Sequence, residues 1–512
     1  MEKHFSIPMS RRNFMKLAGI AMAGVMVGGT NTSKTQAFSG KTSTANFNDA
    51  DLPILYDADV CVVGGGAAGT AAAINAGKNG ASTVLVEQGI SLGGLATQGL
   101  VYPCMRTFIH NSDTPYILEL NRRIEEKQGV TPLLGIEDEN SYGGGQGFYV
   151  PECLTWLYDE WCEEAGVTVL YGTTLVGATV ENGTINACVV QTVDGLAKIT
   201  AKSFVDATGD ALLSRFAGVP TEKGSEKTGR NQPMSLRFEM SGIDVPKVHK
   251  FFHNKLKDTW MGEKTDRKFE EDVKKGRTPF MEFAKWKKTE SFFKEGVTRG
   301  EVTEDDILYI QAYSIMGKPH TMSMNCPEIP PLTFSSTDAI SRSQAITFGR
   351  KMTRRLASFF KKNIPGFEKA FISKEASMVG VRESWRIRGK YYLTEEVYMK
   401  REKFVDAICR TAYPIDIHDV KLDFYEKLKK GEYYEIPFRA LIADKVDNLL
   451  TVGRCASGSF VAQASFRIQP TCMSMGEAAG IAAAWALKKN IPVSEVKWEE
   501  IPENQRSYVS KR

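Results

Sequence analysis

Residues 60–73 read VCVVGGGAAGTAAA, an apolar run that meets glycines at positions 64, 66 and 69 and continues into small residues. Each part constrains the next. Tyr56 to Val63 is expected to form a short buried strand, the glycines a tight turn, and the alanines a helix to about Gly77. Ser82-Thr83-Val84-Leu85-Val86 predicts a second strand, and it ends in Glu87, eighteen residues beyond Gly69. Strand, glycine turn, helix, strand and acid together make the βαβ unit that holds an adenine dinucleotide. Gly64 permits the turn, Gly66 lets the backbone approach a pyrophosphate, and Gly69 lets helix and strand pack closely, while the helix N-terminus faces the negative charge. Glu87 can accept hydrogen bonds from a ribose, and an acid there disfavours the 2′-phosphate of NADP.

Later segments read as further parts of the same nucleotide-binding layer. Residues 152–165 predict a helix with Leu154, Leu157 and Trp161 near one face, followed by a strand at Val167 to Leu170 and alternating strand segments around 174–200. Ser203 to Asp206 is a strand that breaks into Ala207-Thr208-Gly209-Asp210. Far downstream, Asp447 to Val452 is another buried strand, ending at Gly453-Arg454. Pro470-Thr471 then opens an alanine-rich helix over Cys472 to Lys488.

The middle of the chain differs in character. Residues 250–300 are rich in Lys, Glu and Phe and predict helices with solvated charged faces. Asp338 can cap a helix that carries Phe348, Met352, Leu356 and Phe359 on one face, with Arg350, Lys351, Arg354, Arg355, Lys361 and Lys362 as its exposed side.

The N-terminus carries a targeting pattern. Ser10-Arg11-Arg12-Asn13-Phe14-Met15-Lys16 precedes LAGIAMAGVMVGG, a run too short and glycine-rich to span a bilayer, and Thr35-Gln36-Ala37 offers a small-residue cleavage site. Paired arginines before a weak apolar region predict a twin-arginine signal over residues 1–37, with the twin-arginine translocase as partner. The expected destination lies across the cytoplasmic membrane, in the periplasm or at the cell surface, anchored there if the signal stays uncut. Residues 1–37 hold five Lys/Arg and one acid, a net charge of +4, and the whole chain also nets +4. The remaining body is therefore neutral, which gives no support for nucleic acid as a partner. Nine cysteines are scattered without a Cys-x-x-Cys or Cys/His cluster, so buried thiols are expected and no metal site.

With these segments placed, the chain resembles the FAD-dependent oxidoreductases of the glutathione-reductase-like superfamily, in particular a bacterial branch distantly similar to heterodisulfide reductase. The matching stretches are VVGGGAAG ending at Gly69, LGGLATQGLV (92–101), DATGD (206–210), QPMSLRF (232–238), GVRESWRIRG (380–389), and IPFRALI, DNLLTVGRC and AQASFRIQPTCMSMGEAAGIAAA between 436 and 484. The resemblance implies an α/β fold: a Rossmann-like FAD-binding domain built from both chain ends, with an inserted α+β substrate domain. The expected boundaries are a linker at 38–55, FAD-domain parts at 56–230 and 441–490, a substrate or cap domain at 231–440 and a tail at 491–512.

The resemblance also implies site residues. Gly64, Gly66, Ala67, Ala68 and Gly69 would surround the FAD pyrophosphate, and Glu87 the adenosine ribose. Gly93, Gly94, Leu95, Ala96 and Thr97 would run beside the ribityl chain and flavin ring, with Asp210, Gly453 and Arg454 near the ribityl-phosphate region. The helix beginning near Thr471 would aim its N-terminus at the pyrimidine end of the flavin, where negative charge accumulates on reduction. The chain lacks cluster-binding cysteine motifs, so the iron–sulfur wiring of heterodisulfide reductase is not carried over.

Arg382, Glu383 and Arg386, backed by Arg439, are the candidate catalytic group, since arginines near a flavin can clamp a carboxylate or stabilise an enolate. An ordinary ion-pair cluster is the competing reading of the same residues. Of the histidines, His320 beside Pro319 is singled out for test. The expected activity is hydride exchange between FAD and a small organic substrate, with a membrane-linked quinone or cytochrome as electron partner. An oxidase or dehydrogenase of an alcohol, amine or sugar-derived substrate is one alternative. A flavin-binding electron-transfer protein without its own substrate is the other.

Overall fold

The computed structural model describes residues 51–105, 114–128, 133–134, 146–256, 269–276, 279, 281–284, 287–315, 317–418 and 427–510. The expected signal over residues 1–37 and most of the 38–55 linker lie outside them. No helix among the described residues is long and apolar enough to cross a membrane.

The chain enters its main sheet at β1 (Ile54–Val63), turns through the glycines into α1 (Ala67–Lys78), and returns as β2 (Thr83–Val86). β1 and β2 are parallel, with Val60 opposite Thr83 and Val63 opposite Val86. Val60 to Val63 and all of β2 are buried, which is why the apolar runs there do not alternate with polar residues. Next come α2 (Pro151–Glu164) and β3 (Val167–Leu170), which extends the parallel side beyond β2. β4 (Thr174–Glu181), β5 (Thr184–Thr192) and β6 (Gly195–Asp206) form an antiparallel meander. The C-terminal part of β6 runs parallel to β1, with Val63 opposite Asp206.

Residues 234–375 form a second sheet of five antiparallel strands. Its members are β7 (Phe238–Ser241), β8 (Glu282–Ala284), β9 (Gln311–Ile315), β10 (Lys318–Met324) and β11 (Phe371–Glu375), in the order β8-β9-β10-β7-β11. α3 (Val245–Leu256), α4 (Lys287–Thr298) and α5 (Ala339–Asn363) accompany it. As expected, the Asp338 side chain caps α5 by accepting from the Ser341 N–H at 2.7 Å, and Met352, Leu356 and Phe359 are buried. Residues 250–300 are less uniformly helical than their composition implies, because β8 interrupts them and pairs with β9.

The chain then returns to the first sheet. β12 (Leu449–Thr451) pairs in parallel with β6, and α6 (Gln469–Lys489) crosses α1. The fold is therefore an α/β sheet assembled from both chain ends, with an α+β layer between them.

The core places one boundary differently from the sequence expectation. Phe238 to Ala370 share an apolar core of the inserted layer, whereas Leu393, Tyr398, Ile408 and Ile436 join the core that contains α1 and α6. Among the described residues, the inserted layer's own core thus runs no further than Ala370, and Leu393, Tyr398, Ile408 and Ile436 pack in the other core. The last residues also belong to that core: Trp498 is buried and its ring stacks on Phe438 at 5.6 Å.

Candidate functional site

The turn after β1 is shaped by what cannot fit there. Gly64 has φ +103°, and a Cβ on it would lie 2.5 Å from the carbonyl oxygen of Ala207. A Cβ on Gly69 would lie 1.8 Å from the Gly64 oxygen, so the first turn of α1 sits directly on the strand end. Gly66 is the opposite case, since a Cβ there would meet nothing within 4 Å. It is the N-cap of α1 and offers no side chain to the first-turn N–H groups, which leaves an electropositive helix end facing open space. Glu87 closes one flank. Its two oxygens accept from the Gly65 N–H at 2.7 Å and the Gly89 N–H at 2.6 Å, bracing the glycine turn against the end of β2.

This open space continues as a cleft enclosing about 1320 Å³, part of it open to solvent. Of the residues expected to hold FAD, Gly64, Gly66, Ala67, Ala68, Glu87, Gly93, Gly94, Leu95, Ala96, Asp210, Gly453 and Arg454 line it. Gly69, Thr97 and Thr471 do not. Gly69 is consumed by the helix–strand contact, and the Thr97 hydroxyl is turned inward to the Leu92 carbonyl at 2.6 Å. Thr471 is buried one residue from the lining residue Cys472.

Arg454 and Asp210 form one charged wall. Arg454 donates to Asp210 at 2.7 Å and to Ser384 at 2.6 Å, and Arg342 reaches the other Asp210 oxygen at 2.9 Å. Burial works against the Asp210 charge, but the two guanidiniums outweigh it and hold the carboxyl well below the usual carboxylate range.

The start of α6 builds a further part of the cleft wall. Arg467, Gln469 and Cys472 line it, with Met378, Val379 and Val381 facing from the inserted layer's side. Gln469 donates to the Val101 carbonyl at 2.8 Å, yet its Oε1, the Thr471 hydroxyl and the Arg467 Nε are buried without a hydrogen-bond partner. Burial pushes the Cys472 thiol up to about 12, so it is protonated near neutral pH.

The expected catalytic group resolves into two kinds of residue. Residues 380–389 are not helical: Gly380–Val381 pairs with Met234–Ser235, and Trp385–Ile387 pairs with Thr221–Lys223. Arg386 and Glu383 are fully buried and form an ion pair with each other. Glu383 also accepts from the Gly224 N–H at 2.9 Å and from Asn231 at 2.8 Å, while Arg386 donates to the Gly458 carbonyl at 3.0 Å. Neither lines the cleft, and their bonding tightens the junction of loops behind it; the ion-pair reading fits them. Arg439 lies away from the cleft as well, with its guanidinium over Tyr391 and 3.3 Å from Asp406. His320 is exposed on β10, with its ring bonded to the Ile243 carbonyl.

Arg382 is different. It donates to the Pro233 carbonyl and the Ser235 hydroxyl, both at 2.8 Å, and it lies beside a charged cluster that the sequence spacing did not single out. His418 is the centre of that cluster. Its Nδ1 is 3.2 Å from Glu328 and its Nε2 is 3.3 Å from Asp416. Asp416 is also held by Arg467 at 3.0 Å, which ties the cluster to the cleft wall. Burial and the Arg382 charge push the His418 pKa down, but the bonds to Asp416 and Glu328 prevail and raise it. Glu328 is ninety residues from His418 in the chain, so no local pattern could have joined them.

A family model described as "FAD dependent oxidoreductase" matches residues 59–505, spanning both sheets and the cleft. The chain belongs to the FAD dependent oxidoreductase family. Among curated proteins, this oxidoreductase is similar to digoxin reductase of Eggerthella lenta, 37% identical over 87 residues that cover 16% of each chain. The match thus spans less than a fifth of that protein's length. Among solved structures it is similar to p-nitrophenol 4-monooxygenase from Pseudomonas putida, at 10% identity over 85% of this chain and 82% of that one, with a TM-score of 0.45. It is also similar to L-proline dehydrogenase from P. horikoshii, at 13% identity over 88% and 97% of the two chains, with a TM-score of 0.40.

The residues present fit the FAD that this oxidoreductase binds. The side-chain-free Gly66 turn and the bare N-terminus of α1 suit a pyrophosphate. At the start of α6, the unpartnered Gln469, Thr471 and Arg467 atoms suit a heterocycle edge bearing both donors and acceptors.

Proposed function

We propose that this FAD-dependent oxidoreductase exchanges a hydride between its flavin and a small organic substrate outside the cytoplasm, and that a membrane-linked quinone or cytochrome takes or supplies the electrons. One observation carries the substrate part of this reading: Arg467, which lines the cleft beside α6, also bonds Asp416 of a charged cluster with His418, Glu328 and the nearby Arg382. A protein that only relayed electrons would have no use for such a cluster at the cleft wall, and this favours a substrate over a pure electron-transfer role.

Hydride exchange at N5, with the negative charge of the reduced form over N1 and C2=O, is what FAD supplies when bound. The protein's part is to hold and to bias. The Gly64–Ala68 turn and the α1 N-terminus would hold the pyrophosphate, Glu87 the ribose, and Gly93 to Ala96 the ribityl side. The N-terminus of α6 favours negative charge at its end, with Arg467 adding a formal positive charge beside it. Buried neighbours of the cleft such as Val379 and Val381 keep water from that end.

Export of a folded, cofactor-loaded protein suits the twin-arginine pattern at Arg11-Arg12. A tightly held FAD can travel inside its protein, whereas a diffusible nicotinamide would have to be supplied outside. The test begins with the visible spectrum of the purified protein and the cofactor released on denaturation. A yellow protein that yields FAD, bleaches on anaerobic photoreduction and recovers its colour with a quinone analogue supports the reading. Colourless protein that stays so after incubation with FAD overturns it. Exchange of Arg11 and Arg12 for lysine, followed by cell fractionation, is expected to leave the protein in the cytoplasm.

A further inference from the structure

The charged cluster beside α6 has an unbalanced composition. Arg382, Arg467 and, when protonated, His418 bring three positive charges, and Glu328 and Asp416 bring two negative ones. The pairings are uneven as well. His418 lies between both carboxylates, and Asp416 serves both His418 and Arg467, so the acids are fully engaged. Arg382 has only neutral acceptors, the Pro233 carbonyl and the Ser235 hydroxyl.

Around these charges stand polar groups whose hydrogen bonds are incomplete. Gln232 is 2% exposed; its Oε1 accepts from the His418 backbone N–H at 3.4 Å, but its Nε2 has no partner. Gln463 is fully buried and donates to the Arg382 carbonyl at 3.0 Å, yet its Oε1 has no partner. Buried polar atoms are nearly always bonded, so two beside one charged cluster mark a place where a polar ligand is missing. The Arg382 charge acts on Glu328 and Asp416 only through space, and the net positive charge of the cluster with His418 protonated specifies the sign of that ligand.

We infer that the cluster of Arg382, His418 and Arg467 binds the carboxylate of a small organic acid, whose remaining carbon skeleton reaches into the cleft that Arg467 lines. The inference rests on the reading of that cleft as the FAD site. Arg467 lines the cleft and also bonds Asp416, so one guanidinium faces both compartments. Planar guanidinium groups match a carboxylate in geometry as well as in charge. His418 is locked rather than free to turn: Asp416 and Glu328 hold its two nitrogens, and the edge of the Tyr309 ring packs on it with centroids 5.3 Å apart. When protonated it holds its positive charge in place between the two acids and leaves the arginines for the ligand. If His418 loses its proton, the two carboxylates become available to compete for Arg382 and Arg467, and anion binding weakens.

The experiment uses the FAD-loaded protein with acetate, succinate and benzoate as probes, succinamide as the uncharged control and sulfate as a control for charge alone. Calorimetry gives affinity, and the perturbation of the bound flavin's visible band reports a ligand beside the ring. At least one carboxylate is expected to bind and to shift the band, with succinamide and sulfate failing to do so. Arg382→Gln and Arg467→Gln should each weaken that binding at least tenfold, and Arg467→Lys should recover part of the loss. The wild-type affinity should fall as pH rises through the His418 titration, which lies above the ordinary imidazole value, and His418→Asn should be weak and nearly independent of pH. FAD content and melting temperature identify any variant that fails to fold, and the pH series on the wild type then stands on its own. Yellow protein that binds none of the three acids, or binds sulfate and carboxylates alike without moving the flavin band, overturns the carboxylate site and leaves the FAD reading intact. Colourless protein would instead remove the FAD reading on which the inference depends.

Discussion

Gly476 lies so close to Ala68 that a Cβ added to it would sit 2.0 Å from the Ala68 carbonyl oxygen. The contact joins α6 from the end of the chain to the first turn of α1, immediately beside the glycine turn. It recurs one turn further on, where a Cβ on Gly480 would lie 2.3 Å from the Ala72 carbonyl oxygen. Both obstacles are backbone atoms and cannot rotate away. Gly476→Ala must therefore part the two helices, and overpacking of this kind costs about 1–3 kcal/mol. The expected outcome is a melting temperature lower by several degrees and a reduced share of FAD-loaded protein, read by differential scanning fluorimetry and by the visible absorbance of the purified variant.

Arg386 and Glu383 provide a test of architecture against chemistry. Removing one member of a buried pair strands the other, at a cost of about 3–5 kcal/mol. Arg386→Met is thus expected to lower the denaturation midpoint sharply by leaving Glu383 buried among Gly224, Asn231 and an absent cation. The double variant Arg386→Met with Glu383→Leu should recover part of that loss. Urea unfolding of the three proteins decides it. A single variant as stable as the wild type but unable to turn over would return the pair to a catalytic role.

Legibility from sequence followed locality. The strands β1, β2 and β3 and the helices α1, α2 and α6 could be read within a residue or a few, because burial on both faces leaves near-continuous apolar runs and a glycine turn joins neighbours in the chain. The lining of the cleft at Gly64 to Ala68 and Gly93 to Ala96 was legible for the same reason. The charged cluster was not. Arg382 meets its neighbours from residues 233, 235 and 463, and His418 meets Glu328 across ninety positions. Residues 380–381 and 385–387 form two short strands, which send Arg386 inward while Arg382 stays partly exposed. The limit of the inserted layer's core was not legible, because apolar residues after 390 cannot reveal which of two cores they will join.

Glu87 has two duties that a pair of substitutions can separate. It accepts from Gly65 and Gly89 in the protein, and it is the residue expected to meet the ribose. Glu87→Ala leaves both N–H groups without their acceptor and should lower the stability of the FAD-free protein as well as its affinity. Glu87→Gln keeps one acceptor oxygen and the shape of the side chain. It is expected to weaken FAD binding by about tenfold, the size of one charged hydrogen bond, with a smaller loss of stability. Fluorescence titration of the FAD-free variants with FAD gives the affinities, and thermal melts of the same samples give the stabilities.

Glu477, two turns into α6, makes the stability of the protein depend on pH in a direction opposite to that of an ordinary ion-paired carboxylate. Burial raises its pKa to about 7 against an ordinary value of 4.5, because only the Thr114 hydroxyl, the Tyr116 N–H at 3.1 Å and the Lys78 charge offset the loss of water. Its folded-state pKa lies above the unfolded value, so between about pH 4.5 and about pH 7 the native state binds more protons than the unfolded one, and stability falls as pH rises. Above that window the penalty is complete and constant. Glu477→Gln removes the charge while keeping an acceptor for Tyr116. The variant should gain on the wild type as pH increases, by about 2–3 kcal/mol between about pH 5 and about pH 8. Urea unfolding of both proteins at the two pH values measures the difference directly. Equal slopes against pH would mean that Glu477 keeps its charge inside the helix contact, with a partner beyond Thr114, the Tyr116 N–H and Lys78.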